Sequence, residues 1–156
     1  MDTALSADAL PISGATGTVK LTDTLLAASS LNTLNAAIAG ALNASTVTTI
    51  TGSAADFATL VAATTAGTIT LAANFAATVT GTVSVAGANA IDAANGTGVI
   101  TATITAGDVT TLKTLTGTNN AYKLTITDAT AAAADLIALD ARTTVAVDAG
   151  AVNTLT

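Results

Sequence analysis

Residues 23–51 read DTLLAASSLNTLNAAIAGALNASTVTTIT, and residues 128–156 read DATAAAADLIALDARTTVAVDAGAVNTLT. The two segments align without a gap at an offset of 105, with eleven of 29 positions identical. In a chain with 39 Ala and 34 Thr, Ala on Ala and Thr on Thr are weak matches. The pairs Asp23/Asp128, Leu31/Leu136, Leu34/Leu139 and Val47/Val152 are stronger ones. Self-similarity at a fixed period is the mark of repeat architectures. The second segment runs to the last residue, whereas the first continues into Gly52-Ser53-Ala54-Ala55-Asp56. The expected organisation is therefore an irregular lead-in over residues 1–17. A repeat region over 18–156 follows, holding about one and a half repeats of ~105 residues cut from a longer array.

Inside this long period, strand-like pieces recur at Thr18–Thr22, Thr46–Thr51, Thr68–Leu71, Thr82–Val85, Ile100–Ile104, Tyr122–Thr127 and Thr144–Val147. Most alternate a β-branched or apolar residue with Thr, the period-2 pattern of a half-buried strand. Between them lie helical spacings: Leu31, Leu34 and Ile38; Phe57, Leu60 and Val61; Val109, Leu112 and Leu115; Leu136 and Leu139. Ser53-x-x-Asp56 and Thr105-x-x-Asp108 resemble capping boxes, and Asp23 and Asp128 suit N-caps. Gly52, Gly67, Gly81, Gly98 and Gly117 read as turn punctuation. The links Leu71–Thr82 and Val85–Ile100 leave room for only a helical turn or a loop.

Strand, crossover and strand at this spacing predict parallel strands with right-handed connections. The expected fold class is α/β: a right-handed parallel strand–helix solenoid, leucine-rich-repeat-like, with one strand and one helix or loop per coil. The alternative is an all-β parallel β-helix, which the Ala/Leu runs at Ala54–Ala63 and Ala129–Ala141 disfavour.

Composition narrows the chemistry. The chain of 156 residues has ten Asp, three Lys and one Arg, with no Glu, Gln, His, Cys or Trp, and a net charge of −6. Without His or Cys there is no Ser-His-Asp or Cys-His nucleophile system and no ordinary zinc site. Four scattered cations argue against nucleic acid, which demands clustered Lys and Arg. Every apolar run is interrupted well short of the ~18–20 residues of a membrane span. Met1-Asp2-Thr3-Ala4-Leu5 lacks the basic and apolar regions of a secretory signal. The expected protein is not an enzyme, and catalytic, cofactor-binding and metal residues are expected to be none.

Asp92, Asp108, Asp128 and Asp148 lie near strand ends, where helix capping and solubility explain them; a shallow calcium site is the weaker reading. Phe57 reads as core, and Tyr122-Lys123 after Asn119-Asn120 as turn and strand packing. Gly96-Thr97-Gly98 reads as a turn. Asn43-Ala44-Ser45 and Asn95-Gly96-Thr97 match the glycosylation sequon. Thr-x-Thr recurs at residues 22–24, 46–48, 49–51, 68–70, 78–80, 101–105 and 125–127. Residues i and i+2 of a strand point the same way, so neighbouring strands would carry Thr ladders, the texture of an ice- or polysaccharide-binding face.

The strings TITGSAADFATLVAATTAGTIT (49–70), VSVAGANAIDAANGTGVITATI (83–104) and AYKLTITDATAAAADLIALDARTTVAVDAGAVNTLT (121–156) resemble tandem repeats of giant bacterial cell-surface proteins. These include the swimming-motility surface protein of marine Synechococcus and large repeat-rich adhesins exported by one-step secretion. The resemblance implies an extracellular, array-forming, adhesive or structural protein. It would form an elongated rod and associate through repeat ends or with neighbouring repeats of the same chain. It carries over no functional residues.

Overall fold

The computed structural model describes residues 14–156. Strands and helices alternate along the chain as β1 (Val19–Lys20), β2 (Leu25–Ala27), α1 (Ala28–Ala37), β3 (Leu42–Ala44), β4 (Thr49–Ser53), α2 (Ala54–Thr65), β5 (Ile69–Leu71) and β6 (Ala76–Val83). The order continues with α3 (Val85–Asn95), β7 (Ile100–Ile104), α4 (Val109–Leu112), β8 (Ala121–Lys123), β9 (Thr130–Ala131), α5 (Ala133–Asp140) and β10 (Thr154–Leu155). Every ladder among the described residues is parallel. Parallel neighbours need a crossover, and these helices and corners supply it.

The α/β class and the parallel strands are as expected, but the leucine-rich-repeat-like solenoid is not what forms. The strands divide into three open sheets, ordered β1-β3-β5, β2-β4-β6-β7-β8 and β10-β9. Two strands, not one, precede each of α1, α2 and α3. The physical reason lies at the corners. Between β3 and β4, the Asn43 carboxamide oxygen accepts from Ser45 N–H at 3.1 Å, and Ala44 C=O accepts from Val47 N–H at 3.0 Å. This Asx turn splits one long extended run into two strands of different sheets. Five helices likewise overturn the all-β parallel β-helix. Of the expected lead-in over 1–17, residues 1–13 lie outside the described residues. Residues 14–17 dock on the end of α1, where Ala15 C=O accepts from Ala39 and Gly40 N–H.

The core follows the alternation on the strands. Ile50, Ala77, Ile100 and Tyr122 turn inward on successive strands of the large sheet and are buried. Leu31, Phe57, Leu60, Ile91 and Leu112 meet them from the helices. Each fully buried Leu, Ile or Phe side chain contributes about 1.5–3 kcal/mol. α1 packs on α2 and α2 on α3. Thr is tolerated in the helices because Thr33, Thr59, Thr64 and Thr65 donate their hydroxyls to the carbonyl four residues back.

Local expectations divide. The Ser53–Asp56 capping box forms: Ser53 Oγ accepts from Asp56 N–H at 3.2 Å, and Asp56 Oδ2 accepts from Ser53 N–H at 3.1 Å. Thr105 caps nothing, and Asp108 is itself the N-cap of α4. The N-caps of α1 and α5 are Ala27 and Ala132, not Asp23 and Asp128. The link expected to be a turn or loop after Val85 is the 11-residue helix α3. Gly52 and Gly81 lie inside strands, and the expected strand Thr144–Val147 is reduced to isolated bridges at Thr143 and Asp148.

The two 29-residue segments adopt matching pairings. Leu25 and Leu26 stand opposite Thr49 and Ile50, and Thr130 and Ala131 stand opposite Thr154 and Leu155, each position shifted by 105. Thr24 C=O accepts from Thr48 and Thr49 N–H, as Ala129 C=O accepts from Asn153 and Thr154 N–H. The Asx turn at Asn43 and Ser45 recurs at Asp148 and Gly150.

Candidate functional site

The register of the large sheet gathers Thr residues on its outer face. Inward Ile50, Ala77 and Ile100 are buried, so their neighbours Thr51, Thr78 and Thr101 face out; Thr51 is half-buried and the other two are exposed. Thr51 stands opposite Thr78, and Thr78 opposite Thr101. Three hydroxyls thus lie side by side on neighbouring strands, spaced by about 4.8 Å, the usual interstrand separation. Ala27 and Ala121 end the row. A second alignment, Thr82 with Thr103 and then Lys123, is offset by a register shift between Thr78 and Thr82. Gly81, at φ +77°, allows that irregularity within β6. The row offers hydroxyl donors and acceptors to a repeating polar surface.

The Asp candidates are dispersed into structural roles. Asp108 Oδ1 accepts from Thr111 N–H at 2.7 Å, and hydrogen bonding to Thr111 holds its carboxyl below the usual carboxylate range. Asp128 Oδ2 accepts from Val109 N–H at 2.7 Å, so it serves the start of α4 rather than of its own helix. Asp148 closes the Asx turn to Gly150. Asp135 pairs with Lys113 at 2.6 Å, the ion pair present among the described residues. No three of His, Cys, Asp or Glu come together among the described residues.

Asp92 belongs to a buried polar group that the sequence reading did not find. Asn120, itself buried, donates Nδ2 to Asp92 Oδ1 at 2.9 Å and accepts at Oδ1 from Ile100 N–H at 2.7 Å. Asn95, also buried, donates to the carbonyls of Gly98 and Phe75. Burial rules out Asn95 as an accessible sequon in the folded chain. Tyr122 is fully buried, with no hydrogen-bond partner for its hydroxyl. Burial, and secondarily the charge of Asp92, pushes that hydroxyl well above the usual tyrosine range. Asn120 was hidden in the sequence because Asn119-Asn120 reads as a turn. Asn119 does take the left-handed turn conformation at φ 64°, but Asn120 points into the core.

A shallow apolar groove of about 240 Å³ lies between α2 and α3, lined by Ala54, Ala58, Val61, Gly87, Ala90 and Ile91. No helix among the described residues is long and apolar enough to cross a membrane. Comparison of the chain with family models, curated proteins and solved structures finds no match.

Proposed function

We propose that this chain is a non-enzymatic structural or adhesive module of a larger secreted or cell-surface protein. In this reading, units related by the 105-residue offset follow one another and associate with others of their kind. The supporting observation is the matched pairing: Leu26 opposite Ile50 and Ala131 opposite Leu155, with the same turn and the same ladder start in both segments. The reading needs no catalytic residue and no cofactor. The acidic, Thr-rich surface and the textural resemblance to giant bacterial surface proteins support an extracellular setting. Antibody raised against the purified chain should label intact producing cells and lose the label after protease shaving. Labelling only after permeabilisation would overturn the proposal.

The Thr51–Thr78–Thr101 row favours a second reading, in which the sheet face binds ice or a crystalline polysaccharide. Thermal hysteresis and polysaccharide pull-down of the purified chain test it, with a Thr78→Lys variant as control. Absence of both activities at high protein concentration removes it.

A further inference from the structure

α3 ends at Asn95, and Gly96 follows it at φ 64° and ψ −103°. This is the one Asn-Gly pair in the chain. Asn95 is fully buried. Its Nδ2 donates to the Gly98 carbonyl at 2.7 Å and to the Phe75 carbonyl at 3.3 Å. Both neighbours are acceptors, so an amide fits between them and a carboxylate, with no hydrogen to offer, does not. Gly96 is fixed as firmly. Its left-handed φ suits glycine, and an added Cβ would lie 2.6 Å from the Ala73 carbonyl oxygen. The corner between α3 and β7 therefore requires Asn and Gly side by side.

That pair is chemically labile, because Gly96 has no side chain to keep its nitrogen from the Asn95 carboxamide. In an open chain the Gly96 amide nitrogen attacks Asn95 Cγ. A C–N bond forms, the Cγ–Nδ2 bond breaks, and ammonia leaves with the proton from Gly96 N–H. Water then opens the five-membered succinimide at either carbonyl, leaving aspartate or isoaspartate at position 95. The folded corner resists the attack. Nδ2 is tied to two carbonyls, and Oδ1, where negative charge develops, meets no donor among the described residues. We propose that Asn95–Gly96 is a self-modification site: the folded chain protects it, local opening releases it, and its conversion locks the corner open. The product carboxylate, returned to the same place, faces the buried carbonyl oxygens of Phe75 and Gly98 with no hydrogen bond to make. The isoaspartyl product also lengthens the backbone, where an added Cβ at Gly96 or Gly98 has no room. Brief openings reverse, whereas a prolonged one leaves a permanent covalent mark.

The full chain, incubated at mildly alkaline pH with and without urea, tests both halves of the inference. Top-down mass spectrometry locates each amide-to-acid exchange, and isoaspartyl methyltransferase labelling marks the isoaspartate. In urea, position 95 should convert before any other Asn. In native buffer its conversion should be at least about ten-fold slower, because it waits on local opening. After the urea is diluted away, unconverted chain should regain its native circular dichroism. Converted chain, separated by anion exchange, should have its folding equilibrium constant lowered at least about a hundred-fold. The Asn95→Asp variant should show the same loss, and a variant that does not fold at all agrees with it. Equal conversion rates with and without urea overturn the protection. Converted chain or variant that melts like the parent overturns the lock. Conversion in urea that spares position 95 while other Asn residues react overturns the site.

Discussion

The side-chain carbonyl of Asn120 takes the backbone N–H of Ile100 at 2.7 Å, so a residue twenty positions later completes the start of β7. Both partners are buried. Removing an acceptor there leaves an N–H without a partner in the core, which costs about 1–3 kcal/mol. Asn120→Ala should lower stability by about 2 kcal/mol in urea denaturation, with an unchanged slope. Asn120→Asp should not restore it, because it places a second carboxylate beside Asp92. A loss below about 0.5 kcal/mol would show that the bond is not formed in solution.

Tyr122 makes the opposite prediction. Its buried hydroxyl has no partner, so Tyr122→Phe removes a desolvation cost without breaking a bond. Thermal melting should be unchanged or raised. In the parent chain the phenol is held neutral by burial and by Asp92. Its raised pKa contributes stability that is fully present below the unfolded tyrosine value of about 10 and is lost as pH rises beyond it. With one Tyr and no Trp in the chain, phenolate absorbance should appear only together with alkaline unfolding. The Phe variant should resist that unfolding to higher pH.

At the start of α2, Ser53 and Asp56 satisfy each other's backbone N–H. Ser53→Ala should cost about 1 kcal/mol, the usual worth of an N-cap. Ser53→Thr should retain most of it. Hydrogen exchange at Asp56 N–H would localise the change.

Gly98 has no room for a side chain, since an added Cβ would press on the backbone carbonyl of Phe75. Backbone on a neighbouring segment yields less readily than a side chain. Gly98→Ala should therefore cost about 1–3 kcal/mol, in the range of overpacked cores. Gly17→Ala, which meets nothing within 4 Å, should change stability by less than about 0.5 kcal/mol. Equal effects at the two positions would contradict the close approach at Gly98.

Where large residues mark the pattern, the sequence is readable. α2 is legible because Phe57, Leu60 and Val61 share a face behind a Ser–Asp box, and β7 because Ile100, Ala102 and Ile104 alternate with Thr. α3 escapes because its inner face is Val85, Ala88, Ile91 and Asn95; Ala and Asn carry little apolar signal, and Gly87 argues for a turn. β2, β3 and β9 are two or three residues long, too short for a period to show, and Leu-Leu-Ala at β2 reads equally well as helix. The division into separate sheets depends on corners such as the Asx turn at Asn43, which no periodicity records. The Thr row is legible as Thr-x-Thr, but which Thr stand side by side is decided by register. The core Asn residues are illegible because Asn is ordinarily a surface residue.

The all-parallel ladders also set how the molecule responds to tension. Paired residues lie 20 to 27 positions apart, and most pairs join only two to five residues. A pull across the large sheet meets the interstrand hydrogen bonds along their own axes, one short ladder at a time. Each rupture frees a segment of roughly 25 residues, on the order of 80 Å of extended chain, while the remaining ladders hold. Such a module yields in small steps and can re-form them, so a tether built from it would absorb a tug rather than snap.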